Sequence, residues 1–136
     1  MQDRLTLSAT LTGPDRPGIT QALMSAIAGL GTEVLDLEQV VVRGQVTIAV
    51  LLGSLPADLD TLEDRLAGTC ARLGYRLSID EGVGDNPPRL KRVVVTILGR
   101  PLRATHLAVV SSVVTEHGGN IDRIRRLSRT PLTTLE

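Results

Sequence analysis

Apolar and polar residues alternate near the start of the chain. Leu5, Leu7, Ala9 and Leu11 interleave with Arg4, Thr6, Ser8 and Thr10, the period of two expected of a half-buried strand. The period then changes. Ile19, Leu23, Ile27 and Leu30 recur at helical spacing, and Gly31 is expected to stop that helix. Leu35 and Leu37 alternate with Asp36 and Glu38 and lead into Val40–Val42. Arg43-Gly44-Gln45 turns the chain into Val46, Ile48, Val50 and Leu52, which predicts a hairpin. Pro56 opens a second helix striped by Leu59, Leu62, Leu66, Cys70 and Leu73 and ended by Gly74. Tyr75, Leu77 and Ile79 alternate as a last strand.

The predicted order is β-α-β-β-α-β. Two interleaved right-handed β-α-β units give an antiparallel sheet with both helices on one face, a ferredoxin-like α+β fold. It occupies residues 1–83, and residues 84–90, rich in Gly, Asn and Pro, read as a linker. From 91 to 136 the pattern restarts. Val93, Val95 and Ile97 predict a strand running into Gly99-Arg100-Pro101. Leu107, Val110, Val113 and Val114 stripe a helix ended by Gly118-Gly119, and Ile121, Ile124 and Leu127 predict another strand. Shifted by 87 residues, Gly31 meets Gly118, Val34 meets Ile121, Leu37 meets Ile124 and Val40 meets Leu127; Gly13 meets Gly99 at a shift of 86. This is an internal duplication. The second copy is truncated after its second strand, with its third strand due to begin at 131–136. Such a remnant leaves apolar faces uncovered, so either a longer native chain or another subunit is expected to cover them.

Composition narrows the function. A chain of 136 residues with 42% hydrophobic content suits one domain or two small globular ones. Tyr75 is its one aromatic residue, which argues against stacking of nucleic-acid bases and against a carbohydrate cleft. Net charge is zero, but residues 1–88 carry 6 Arg against 12 Asp/Glu and residues 89–136 carry 9 Arg/Lys against 3 Asp/Glu. Attraction between the halves, or between subunits, is favoured over a nucleic-acid partner. With no apolar run of membrane length and no signal-peptide pattern, neither a membrane partner nor export is expected. One cysteine, Cys70, cannot pair internally, which suits a reducing cytoplasm; its helix-face spacing reads as packing rather than as a nucleophile.

Candidate chemistry gathers at one place. Gly13-Pro-Asp15-Arg-Pro17-Gly18 joins the first strand to the first helix, exposing backbone N–H groups at a helix N-terminus, a site suited to a carboxylate. No catalytic constellation, phosphate loop or metal spacing is seen. His106 and His117 read as structural. Arg123, Arg125, Arg126 and Arg129 read as the solvent side of a strand.

With that turn, the β-α-β-β-α-β unit resembles an ACT domain, the amino-acid-sensing module of metabolic enzymes. VLDLEQVVVRGQVTIAVLL (34–52) and ILGRPLRATHLAVVSSVVTEHGGNIDRIRRLSR (97–129) extend the likeness. Together they resemble the N-terminal tandem ACT region of bacterial phosphoserine phosphatases, especially the long actinobacterial form. The resemblance implies a regulatory, homodimer-forming region that binds a small amino acid, with L-serine expected. It also implies an absent haloacid-dehalogenase domain that hydrolyses O-phospho-L-serine with Mg2+. Asp58-Leu-Asp60 imitates that domain's Asp-x-Asp signature, but Ser54-Leu-Pro-Ala57 precedes it in place of a buried strand. No catalytic residue, cofactor or metal is therefore expected in this chain. A stand-alone tandem-ACT regulator, similar to a repressor of glycine metabolism, is the alternative.

In ACT domains the ligand lies between two modules, against the turn of one and the second-strand start of the other. The resemblance thus implies ligand contacts from Gly13, Asp15, Pro17, Gly18 and Ile19, from Gly99 and Arg100, and from Asn120, Ile121 and Asp122. One composite site is expected to join the Asp15–Ile19 turn to Asn120–Asp122 of a facing module. Other roles stay open: Asp15 as an N-cap, Gly18 as a packing glycine, and Asn120 as turn chemistry.

Overall fold

The period-two segment at the N-terminus forms β1, Leu5–Pro14, at the centre of a four-stranded sheet. A computed structural model describes residues 5–88 and 91–127, and the chain divides into two compact units between Pro88 and Arg89. In the first unit β1 is followed by α1 (Ile19–Ile27), β2 (Glu33–Val42), β3 (Gln45–Ser54), α2 (Leu59–Leu73) and β4 (Arg76–Val83). The sheet order is β2-β3-β1-β4 with every neighbouring pair antiparallel, the ferredoxin-like topology expected from the sequence.

Leu7, Ala9 and Leu11 of β1 and Val46, Ile48, Val50 and Leu52 of β3 line one face of the sheet and are buried. The helices cover that face with Ile19, Leu23 and Ile27 of α1 and Leu62, Leu66 and Cys70 of α2. These are the residues of the helical stripes, because only the side turned to the sheet loses water. Burial pushes the Cys70 thiol above its ordinary range, which leaves little thiolate for nucleophilic chemistry. Residues 84–88 belong to this unit: Thr6 donates to the Gly84 carbonyl at 2.9 Å and Asn86 to the Asp36 carboxylate at 2.8 Å. The first unit therefore reaches past the expected boundary at 83.

Three local expectations change. Helix α1 ends at Ile27 rather than Leu30, since Gly29 already takes a φ of 85°, a left-handed stop that closes the helix one turn early. Pro56 opens a 3-10 turn, Pro56–Asp58, and α2 begins after it. In β2 the register slips between Val34 and Asp36. This bulge sets Leu35 aside and puts Val34, Leu37, Gln39 and Val41 opposite the inward positions Leu52, Val50, Ile48 and Val46. Simple alternation of Leu35 and Leu37 is thereby lost. As an edge strand, β2 stays open, with Val34, Leu37 and Val40–Val42 all at least 40% exposed.

In the second unit α3 spans Ala104–Glu116 and stops at Gly118, φ 72°. The strands expected around Val93–Ile97 and Ile121–Leu127 are not formed among the described residues. In the first unit β1 and β2 do not pair with each other; both pair with β3, and the counterpart of β3 would begin near position 132, outside the described residues. None of the described residues of this unit is buried, and α3 buries no side chain. The expected start of a third strand at 131–136 and Arg129 also lie outside the described residues.

Candidate functional site

β1 ends at Pro14, the turn runs through Asp15, Arg16 and Pro17, and α1 begins after Gly18. Gly18 is the N-cap residue, at φ 84°, ψ 4°, with no side-chain hydrogen bond capping the helix. A Cβ built on Gly18 would meet nothing within 4 Å. Glycine is required here for its left-handed backbone, and not for close helix–sheet packing. Asp15 is not the N-cap. Its own N–H donates to the Gly44 carbonyl at 2.8 Å, tying the turn to the β2–β3 hairpin, while its carboxylate is exposed beside the helix start. The outcome is a helix N-terminus with no side-chain cap and no atom close to where a Gly18 side chain would stand, the kind of end at which an anion can be held.

The other expected residues divide. Pro17 is exposed. The Ile19 side chain is 5% exposed and points into the core, so only its backbone amide can serve a ligand. Gly13 is buried in β1 opposite Val46, and a Cβ there would stand 1.8 Å from Cδ1 of Tyr75. The ring of Tyr75 occupies the space that a ligand would need at Gly13. Sequence reasoning also missed Arg16, whose guanidinium lies 5.2 Å from the centre of that ring and donates to the Tyr75 hydroxyl at 3.1 Å. A cation inside the turn and one aromatic residue in the whole chain were the available signal.

Glu33, at the start of β2, pairs with Gly53, whereas Gly13 pairs with Val46. Seven positions of β3 separate them, roughly 23 Å at the rise of a strand. One module therefore cannot bring its own turn to its own second-strand start; a site built from both elements takes two modules.

In the second unit Gly99, Arg100 and Pro101 line an open hollow of about 480 Å³ with His106, Val109 and Val110 of α3. Its walls are mostly aliphatic. Here too no side-chain hydrogen bond caps the helix, but the N–H of the N-cap residue Arg103 donates to Nδ1 of His106 at 3.0 Å, the reach-back of a capping box. His117 Nδ1 lies 2.8 Å from the Val113 carbonyl at the other end. Both histidines are engaged with their own helix. Asn120 donates to the Asp122 carboxylate at 3.3 Å, with both residues and Ile121 exposed.

Asp58 ends the 3-10 turn and Asp60 sits in the first turn of α2, where carboxylates offset the helix dipole. No group of three or more His, Cys, Asp or Glu side chains that could hold a metal occurs among the described residues. Among the same residues no helix is long and apolar enough to cross a membrane.

Comparison with known proteins agrees with the fold. A family model described as an ACT domain matches residues 6–80, and a second ACT-domain model matches residues 92–136. A phosphoserine phosphatase of Streptomyces coelicolor is 40% identical over 133 residues, covering 96% of this chain and 32% of that protein. A phosphoserine phosphatase of Mycobacterium tuberculosis is 36% identical over 142 residues, covering 100% of this chain and 34% of that protein. The chain thus spans about a third of the length of the curated relatives it matches. A solved structure described as a glycine cleavage system transcriptional repressor superposes with a TM-score of 0.55 at 18% identity, over 65% of this chain and 50% of that one. That likeness is one of fold.

Proposed function

The chain belongs to the ACT-domain family, homologous to the N-terminal region of phosphoserine phosphatases, and we propose that it senses an amino acid, L-serine, and joins two subunits of such an enzyme. The observation that carries this reading is the uncapped helix start at Gly18, with nothing within 4 Å of where a side chain on that residue would stand. A zwitterion needs N–H donors for its carboxylate and an acceptor for its ammonium. The α1 amides supply the first and the exposed Asp15 carboxylate the second. Asn120–Asp122 of a facing module, on this reading, complete the pocket, and Gly99 and Arg100 serve the weaker second turn.

The dimer role is supported by β2. A ten-residue edge strand with apolar side chains exposed on both faces is a template for pairing. The parent protein would hydrolyse O-phospho-L-serine in the cytoplasm, with Mg2+ held outside this chain. The repressor-like alternative has weaker support, since its likeness is confined to fold while the phosphatases share 40% and 36% identity across the chain.

Serine titration by calorimetry tests the site. Gly18→Leu drapes a side chain over the amides and is expected to abolish binding, and Asn120→Ala to weaken it about tenfold, the loss of one good hydrogen bond to a charged group. Parent-like affinity in both variants would overturn the placement.

A further inference from the structure

The turn between β1 and α1 is exposed along Asp15–Gly18, yet it is tied to the rest of its unit on two sides. On one side stands the bond from the Asp15 amide to Gly44 in the β2–β3 hairpin. On the other stands Tyr75. The stop of α2 sets its place: Gly74 takes a φ of 76° and the Tyr75 N–H donates back to the Cys70 carbonyl at 2.9 Å, as in a Schellman motif. The ring then lies on Gly13, 7% exposed. Its hydroxyl donates to the Pro14 carbonyl and accepts from Nε of Arg16, and a terminal nitrogen of Arg16 donates to the Leu73 carbonyl. Gly13 and Arg16, in one turn, and Tyr75, 59 residues beyond Arg16, form one device.

We propose that Arg16 and Tyr75 are positioning residues, a clamp that holds residues 14–18 in the conformation in which the α1 amides stay bare, and so sets the affinity of the turn for its ligand. The inference rests on reading that turn as an amino-acid site. Its chemistry is specific. A guanidinium reaches two different acceptors while lying over a ring, which a lysine ammonium does not reproduce. The phenolic hydroxyl links strand end and turn, which phenylalanine cannot do. A turn ordered before binding loses less freedom when the ligand arrives. Neither residue need touch the ligand for the effect to appear.

Two variants and two readouts test this. Tyr75→Phe keeps a ring on Gly13, and Arg16→Lys keeps the charge. Hydrogen exchange is followed at the amides of Asp15, bonded to Gly44, and Ala22, bonded to Gly18. Both variants are expected to speed exchange there by about tenfold, with the ladder amides of β1 and β3 unchanged, since local opening differs from global unfolding. Serine affinity is expected to fall roughly five- to tenfold in the same variants. Unchanged exchange at Asp15 and Ala22 overturns the clamp whether or not serine binds the parent. Faster exchange with unchanged serine affinity overturns its role in binding. A parent chain that does not bind serine refutes the ligand reading and the affinity role with it, while exchange still decides whether the clamp orders the turn.

Discussion

At the first turn, α1 starts from a left-handed Gly18 with no side chain over its amides, and its strand lies on a closed core. At the second, α3 starts from an extended Arg103 whose amide is taken by His106, and no described residue of the unit is buried. The two copies descend from one pattern of strand, turn and helix. They differ in what surrounds it. The first has β3, α2 and β4 to bury its apolar face, so its helix end can stay open for another molecule. The second buries none of its described residues, and its N-cap amide is taken by its own histidine. The two copies thus differ at two places, in what packs on the sheet face and in what lies at the helix start.

The sharpest contrast should lie in the cores. Leu66 is wholly buried and Leu107 is 37% exposed. Leu66→Ala is expected to destabilise the chain by about 3 kcal/mol, against under about 1 kcal/mol for Leu107→Ala, both read from urea unfolding. Equal losses would mean that the second unit is packed as tightly as the first.

The paired glycines come next. Alanine at Gly13 meets the Tyr75 ring at 1.8 Å, whereas at Gly99 it meets the flexible Leu102 side chain at 3.2 Å. Gly13→Ala is expected to cost about 2 to 3 kcal/mol by overpacking, and Gly99→Ala less than about 1 kcal/mol. Adding Tyr75→Leu should recover part of the Gly13→Ala loss, because the two share one space.

The smallest effect is electrostatic and belongs to the acidic half. A hydrogen bond to Glu81, with burial and the nearby charges of Glu81, Asp60 and Asp64, holds the Glu63 carboxyl above its ordinary 4.5. The folded state therefore binds this proton more tightly than the unfolded one. Its contribution to stability is full below 4.5 and is lost as pH rises through the folded value. Glu63→Gln should raise the melting temperature slightly at neutral pH, with the gain shrinking as pH falls toward 4.5. A gain that persists in acid would assign the effect to packing.

Much of the first module was legible in advance. The stripe of Leu62, Leu66 and Cys70, the alternation of β1 and β3, and the stop at Gly74 all appear where spacing put them. Periodicity reports which side of an element must leave water, and glycine reports where the backbone must turn left-handed. The early end of α1 at Gly29 and the bulge at Leu35 were not legible, since a helix stripe continues through either glycine and alternation carries no trace of a register slip.

The candidate site divides in the same way. Sequence by itself determined that a glycine-bearing turn opens α1 and that the pattern is used twice, because both depend on residues adjacent in the chain. Tertiary structure alone decided that Gly13 seats Tyr75, that Arg16 locks onto it, and that one module holds its turn and its second-strand start at opposite ends of the sheet. Those facts depend on contacts between residues some 60 positions apart, which become neighbours only when strand order and register are fixed.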